Sequence, residues 1–151
     1  MRTKEFATVA LFGITLWLVT GCSGYEPPKP DKKVETTVVS GVVLVDGKPA
    51  AQLAVKCYPI GGAKQEGIPS ATAFTDKDGK FKLGTYESGD GVPPGKYKLT
   101  FFWGQRNLIS GRYEGPDKLK GRYANPKKSK FEITVEPGKP LDLGEIKLTT
   151  K

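Results

Sequence analysis

The acidic residues with a spacing that could bind a metal lie in the stretch TDKDGKF. Asp76 and Asp78 are two residues apart, and calcium loops use oxygen ligands at alternating positions followed by a glutamate. Lys80 and Lys82 occupy the positions where further ligands would be needed, and they would repel a cation. Asp followed by Gly between two apolar runs is instead a strong hairpin signal. We therefore predict that these aspartates turn the chain and bind no metal.

The composition restricts other kinds of catalysis. The chain has no histidine, which removes the commonest general base and every Ser-His or Cys-His nucleophile pair. Glu87 and Asp90 in YESGDG could act as paired carboxylates, but their Gly-rich surroundings indicate a turn. Cys57 alternates with Leu53 and Val55, which is typical of a buried strand residue. We expect neither enzymatic activity nor a cofactor. The alternative is an enzyme that works through acidic residues.

Alternation of apolar and polar residues predicts seven short strands after residue 36, with a turn signal about every ten residues. The strands are TVVSGVVLV, LAVKCY, SATAFT, KFKLGTY, KYKLTFFW, KFEITV and LDLGEIKL, and a turn at PGKP joins the last two. Tyr97, Leu99, Phe101 and Trp103 share one face of their strand, so they are predicted to face the core. No helix is predicted. The pattern indicates an all-β fold, a seven-stranded antiparallel β-sandwich.

The N-terminal residues have the layout of an export signal. Arg2 and Lys4 precede an apolar run from about residue 7 to residue 19, which is shorter than the ~20 residues of a membrane-spanning helix. The following VTGC resembles the lipobox of bacterial lipoproteins, whose cysteine is acylated and becomes the new N-terminus. This resemblance implies lipidation of Cys22. The alternative is a secreted protein in which Cys22 pairs with Cys57.

The chain divides into three parts by composition. Residues 1–21 are assigned to a lipoprotein signal peptide, 22–36 to the lipidated cysteine and a flexible Pro- and Lys-rich tether, and 37–151 to the β-sandwich domain. Acyl chains contribute ~0.8 kcal/mol per buried methylene, so two or three of them would hold the domain on a membrane. The expected location is the cell envelope, anchored by lipid in the outer membrane or facing the periplasm.

The order of strands and turns resembles the carboxypeptidase regulatory-like domain, a transthyretin-like β-sandwich, as found in small planctomycete lipoproteins. The segments that carry this resemblance are VSGVVLVDGKPAAQLAVKCYP, ATAFTDKDGKFKLGTYESGDGVPPGKYKLTF and GRYANPKKSKFEITVEPGKPLDLGEIKL. The resemblance implies a non-catalytic surface or accessory module, and it transfers no functional residues. The segment FFWGQRNLISGRYEGPDKLKGRYANP departs from the family's pattern, in which a Pro-rich connection is often found.

Basic residues are concentrated in KLKGRYANPKKSK, and they form the first candidate surface. They are Lys118, Lys120, Arg122, Lys127, Lys128 and Lys130. The full chain has a net charge of +8, and in an exported protein such a run suits acidic polysaccharide, anionic lipid headgroups or an envelope protein. Nucleic acid is not expected, because an exported protein is in the wrong compartment and no aromatic platform clearly interleaves with the run. The alternative is a solvated loop that keeps the protein soluble.

Four aromatic residues form the second candidate surface. Phe102 lies on the polar face of its strand, Trp103 ends that strand, and Tyr113 and Tyr123 follow in the loop. Aromatic rings stack on sugars, so the alternative function is a periplasmic or extracellular carbohydrate-binding module. Aromatic residues at strand ends also commonly cover the core.

We predict that mass spectrometry of the mature N-terminus will show a lipidated cysteine at position 22, because the apolar run ends at VTGC. A Cys22→Ser variant should lose the lipid and leave the membrane fraction, whereas Cys57→Ser should keep both. An unmodified N-terminus, or one at another residue, would contradict this assignment.

Overall fold

A computed structural model describes residues 33–61, 67–107, 109–110 and 113–151 of the chain. The predicted signal peptide and Cys22 lie outside these residues. The helical structure described consists of a single 3-10 turn at Pro126–Lys128. A search of the same residues found no helix with the length and apolar character needed to cross a membrane.

The described residues form ten strands, arranged in two four-stranded sheets and one two-stranded ribbon. The strands are β1 (Val39–Val45), β2 (Lys48–Pro49), β3 (Ala54–Pro59), β4 (Thr72–Phe74), β5 (Lys80–Lys82), β6 (Gly95–Phe102), β7 (Gln105–Arg106), β8 (Tyr113–Glu114), β9 (Glu132–Val135) and β10 (Leu141–Leu148). In the first sheet β1 pairs with β10 on one side and with β2 and β5 on the other. The second sheet has the order β4-β3-β6-β9, and β7 pairs with β8.

All seven predicted segments contain a strand, but two details of the predicted sandwich are wrong. The two main sheets contain eight strands, because a tight turn after β1 adds β2. Asp46 and Gly47 form this turn with φ values of 49° and 78°, which is the geometry of a two-residue hairpin. The first sheet is also not wholly antiparallel, since β10 runs parallel to β1. The PGKP turn therefore carries the chain from the second sheet to the first and is not a hairpin.

The two sheets pack face to face around one apolar core. Tyr97, Leu99 and Phe101 of β6 are at most 4% exposed, as the alternation predicted, and they share a cluster with Val39 and Val43 of β1. Each fully buried side chain of this kind stabilises the fold by ~1.5–3 kcal/mol.

Cys57 belongs to the same core. Its side chain is 1% exposed, and burial raises the pKa of its thiol to about 12. The thiol therefore stays protonated at neutral pH, and a buried thiol of this kind is a poor nucleophile. This confirms the prediction of a core residue.

The turn between β4 and β5 confirms the turn interpretation of Asp76. Its Oδ1 accepts hydrogen bonds from the backbone N–H groups of Asp78 and Lys80, each at 2.9 Å. Gly79 has φ 75°, and its carbonyl oxygen accepts from the Val43 N–H at 2.8 Å. A Cβ at Gly79 would lie 2.5 Å from the Val43 carbonyl oxygen, so the turn needs glycine where it meets β1.

The chain enters the sandwich at the end where β1 and β6 begin. The Val34 N–H donates to the Tyr86 hydroxyl at 3.1 Å. Thr37 pairs with Val92, three residues before β6 begins, through backbone bonds of 2.9 Å in both directions. The last residues of the predicted tether thus contact the loop that follows β5.

We predict that Gly79→Ala lowers the free energy of unfolding by at least ~2 kcal/mol, because the cost of positive φ adds to a clash with β1. Gly138→Ala is the matched control, since Gly138 has φ 67° but a Cβ added there would meet no other atom within 4 Å. Gly138→Ala should lower the free energy of unfolding by only ~1 kcal/mol. Urea denaturation measures both values, and equal losses would contradict the clash.

Candidate functional site

The paired carboxylates of the YESGDG loop are engaged by the fold. Asp90 accepts hydrogen bonds from the backbone N–H groups of Thr85, Tyr86 and Glu87 at 2.6, 3.0 and 3.1 Å. Glu87 forms an exposed ion pair with Lys33 at 3.2 Å. Among the described residues, no group of three or more Cys, Asp or Glu side chains could hold a metal ion. Turn formation and surface pairing thus account for both acids.

Residues 117–131, called the basic segment here, lie along the edge of β6 beyond the end of β9. β9 pairs only with the first half of β6, from Gly95 to Lys98. Beyond Lys98, three backbone hydrogen bonds attach the basic segment to β6 and to Trp103, which follows it. They are Leu99 N–H to Phe131 O (2.9 Å), Phe101 N–H to Tyr123 O (3.0 Å) and Lys118 N–H to Trp103 O (2.9 Å). At ~3.3 Å per residue, these attachment points span roughly 13 Å of the edge.

Asp117 closes the first turn of the basic segment. Its carboxylate accepts hydrogen bonds from the backbone N–H groups of Trp103, Leu119 and Gly121, at 2.9, 3.0 and 2.9 Å. Leu119 is fully buried, and Lys120 takes a positive φ of 57°. A carboxylate and an apolar anchor therefore hold this turn against the end of β6.

Polar side chains hold the second half of the basic segment. Asn125 Oδ1 accepts from the Lys127 N–H at 2.9 Å and caps the 3-10 turn. The Ser129 hydroxyl donates to the Leu99 carbonyl oxygen at 2.5 Å and accepts from the Phe131 N–H at 3.2 Å. The backbone of the basic segment is thus fixed on both sides of Tyr123.

All six basic residues predicted as a candidate site lie on the basic segment with exposed side chains. They are Lys118, Lys120, Arg122, Lys127, Lys128 and Lys130. Within the described part of the chain, none of them forms an ion pair with a carboxylate. The segment's own acid, Asp117, accepts backbone hydrogen bonds instead. The arrangement is a concentration of positive charge on a fixed backbone.

The structure does not bring the four predicted aromatic residues together. Phe102 and Tyr113 pack edge to face, with ring centroids 5.1 Å apart, on the outer face of the second sheet. Phe74 joins them at 5.8 Å from Tyr113 and is 41% exposed. Tyr123 lies on the core side, 6.4 Å from the Phe101 ring. Sequence reasoning missed Phe74, although its alternation with buried Ala73 was the available signal.

Trp103 instead contacts Lys118, the first of the six basic residues. The Lys118 ammonium is 4.6 Å from the centroid of the Trp103 ring. The indole Nε1–H donates to the Ala51 carbonyl oxygen at 3.0 Å, and the ring packs partly against the core. The sequence showed no clear aromatic platform within the basic run, because Trp103 is 15 residues before Lys118. Pairing along β6 brings them together.

Comparison with known proteins gives no family assignment: no family model matches the chain, and no curated protein matches it significantly. One similar solved structure is a 9R-lipoxygenase from Cyanothece, with 12% identity, coverage of 82% of this chain and 18% of that chain, and a TM-score of 0.41. A DUF3823 family protein from Parabacteroides merdae has 14% identity, coverage of 78% of this chain and 46% of that chain, and a TM-score of 0.38. The 5-hydroxyisourate hydrolase of Klebsiella pneumoniae has 16% identity, coverage of 75% of this chain and 86% of that chain, and a TM-score of 0.37. The chain thus spans less than half the length of the first two. TM-scores this low do not establish a shared fold, so the architecture rests on the strand pairing described above.

We predict that Asp117→Ala loosens the first turn of the basic segment and the end of β6, because three backbone N–H groups lose their acceptor. The expected loss of stability is ~1–3 kcal/mol. Hydrogen exchange should show reduced protection at the amides of Trp103, Leu119 and Gly121. Asp78→Ala, in the exposed turn after β4, should leave these three amides unchanged. Unaltered protection in Asp117→Ala would contradict the role given to this carboxylate.

Proposed function

We propose that this protein is a non-catalytic binding module of the cell envelope that holds anionic polymers on its basic segment. The observation that supports this proposal is the set of six exposed cations, without carboxylate partners among the described residues, on one fixed stretch of backbone. The backbone of the basic segment is attached along roughly 13 Å of β6, a length close to the Debye length of ~10 Å at 0.1 M salt. A polymer that lies along the segment would therefore meet several of the six cations.

The fixed backbone of the basic segment favours binding. Ordering a loop on association costs free energy, and a loop that is already held loses less. Leu119 and Asp117 hold the first turn, and Asn125 and Ser129 hold the second. The lysine side chains keep their own freedom, so the expected binding is weak for each contact and depends on the number of contacts.

The envelope location and the lipid anchor are part of this proposal, and their support comes from the sequence. The apolar run that ends at VTGC supports export and acylation of Cys22. The resemblance to carboxypeptidase regulatory-like domains supports a transthyretin-like accessory module without catalysis. The use of Asp76 and Asp90 for backbone hydrogen bonds is in keeping with this reading.

A second candidate function is the binding of neutral sugars on the outer face of the second sheet. The exposure of Phe74, 41%, beside the rings of Phe102 and Tyr113 favours it. However, the Tyr113 hydroxyl donates to the Gln52 carbonyl oxygen at 2.8 Å, so this cluster also holds the β7-β8 ribbon against the sheet. The basic segment therefore remains the preferred site.

We predict that replacing Lys127, Lys128 and Lys130 with glutamine removes most of the binding to polygalacturonate, measured by calorimetry at low salt. The wild-type complex should dissociate by a few hundred millimolar salt, as the Debye length falls from ~10 Å at 0.1 M toward ~3 Å at 1 M. Each exposed change should alter stability by no more than ~0.5 kcal/mol.

The matched control for this experiment replaces three exposed lysines outside the basic segment, Lys48, Lys77 and Lys80. It removes the same charge and should keep most of the binding. Equal losses in the two triple variants would show that net charge alone attracts the polymer, and would contradict a site on the basic segment.

A further inference from the structure

We infer that Trp103 and Lys118 together form a subsite for one acidic sugar unit, so that the polymer held by the basic segment is a polysaccharide bearing carboxylates. This inference rests on the proposed function and names the chemical class of its partner. Three features of the pair support it: the fixed position of the indole, the chemistry of the two side chains and their charge surroundings.

The Trp103 indole is held in one orientation before any ligand arrives. Its Nε1–H donates to the Ala51 carbonyl oxygen at 3.0 Å, and its backbone N–H donates to Asp117 Oδ1 at 2.9 Å. One part of the ring packs against the core, and the residue is half-buried. A large aromatic ring that is already ordered contributes contact area at little entropic cost.

The Lys118 ammonium gives this aromatic surface a charge. The ammonium lies 4.6 Å from the centroid of the indole ring. The backbone N–H of Lys118 donates to the Trp103 carbonyl oxygen at 2.9 Å. The backbone bond fixes the origin of the side chain, while its four-carbon stem lets the ammonium move across the ring edge. The ammonium lies over the ring in this structure, so a sugar that stacks on the indole would displace it to the ring edge, where it remains close to the sugar.

A uronic acid unit has the two matching groups. The C–H face of its pyranose ring can stack on the indole, and its carboxylate can accept hydrogen bonds from the ammonium. A phosphate group carries the charge but lacks a flat apolar face. The other five cations of the basic segment can bind the carboxylates of neighbouring units, because the partner is a polymer with regularly repeated charge.

The pair lies at the opposite end of β6 from the point where the chain enters the domain. Thr37 pairs with Val92, three residues before β6 begins, whereas Trp103 directly follows its last residue. Eight residues at ~3.3 Å per residue separate these two ends by roughly 25 Å. Anionic vesicles are the competing surface for the basic segment, and they are therefore included in the test.

A direct test uses Trp103 as its own reporter. The chain contains two tryptophans, Trp17 and Trp103, so a Trp17→Phe variant reports on Trp103 alone whether or not residues 1–21 are removed. In a neutral, sugar-free detergent at about 50 mM salt, it is titrated with polygalacturonate and with long-chain polyphosphate. Both should bind through the cations, but only polygalacturonate should change the intensity or wavelength of the emission. As salt is raised, polyphosphate should dissociate at a lower salt concentration than polygalacturonate, because stacking on Trp103 is not screened by salt.

Two variants measured by calorimetry separate stacking from charge. Trp103→Leu should weaken polygalacturonate binding by roughly three- to tenfold and change polyphosphate binding by less than about twofold. Phe102→Leu is the control, because Phe102 is the neighbouring aromatic residue on the outer face of the sheet. It should leave both affinities unchanged. If Trp103→Leu does not fold, the emission titration decides the question by itself.

The possible failures are distinguishable. If neither polygalacturonate nor polyphosphate binds, the proposed function is overturned together with this inference. Binding of polygalacturonate with no change in Trp103 emission, or an equal change with polyphosphate, would overturn the inference alone. A larger emission change with phosphatidylglycerol vesicles than with polygalacturonate would assign the basic segment to membranes and would also overturn it.

Discussion

The difference in length between β6 and its neighbour β9 determines where the basic segment lies. β6 has eight residues, and β9 pairs with four of them, from Gly95 to Lys98. The remaining polar backbone groups on that edge border the core, and leaving them without partners would be costly. The basic segment supplies these partners, through the carbonyl oxygens of Phe131 and Tyr123 and the hydroxyl of Ser129. An irregular stretch of chain is thereby attached to the sheet by backbone and side-chain hydrogen bonds.

The same attachment keeps like charges together. Six cations on about thirteen residues of chain repel one another, and a free loop would spread to separate them. Burial of Leu119 and the backbone bonds to β6 oppose this spreading. Asp117 is the acid within the segment, and its oxygens accept N–H groups that a neutral side chain would serve less well. The fold therefore uses its local carboxylate for backbone geometry and leaves the cations to the solvent.

The sequence predicted the strands and their faces well, because a period of two residues is legible wherever one face is buried. Tyr97, Leu99 and Phe101 are examples. Which strands pair, and in which direction, was harder to predict. The alternation in β10 is the same whether it runs parallel or antiparallel to its neighbour. The six cations were identifiable as a run, but the contact of Lys118 with Trp103 depends on the long-range backbone hydrogen bond between these two residues. Local patterns contain no information on such contacts.

The pairing of β1 with β10 has a consequence for biosynthesis. Val39 pairs with Leu141, so the sheet that contains β1 is complete only after β10 has been synthesised. Contacts this far apart in the chain close slowly, and until then the unpaired edge of β1 can associate with other chains. Its sequence, VSGVVLV, is rich in β-branched residues, which increases that hazard. The edge of β1 therefore stays open to association with other chains until β10 has been synthesised and has paired with it.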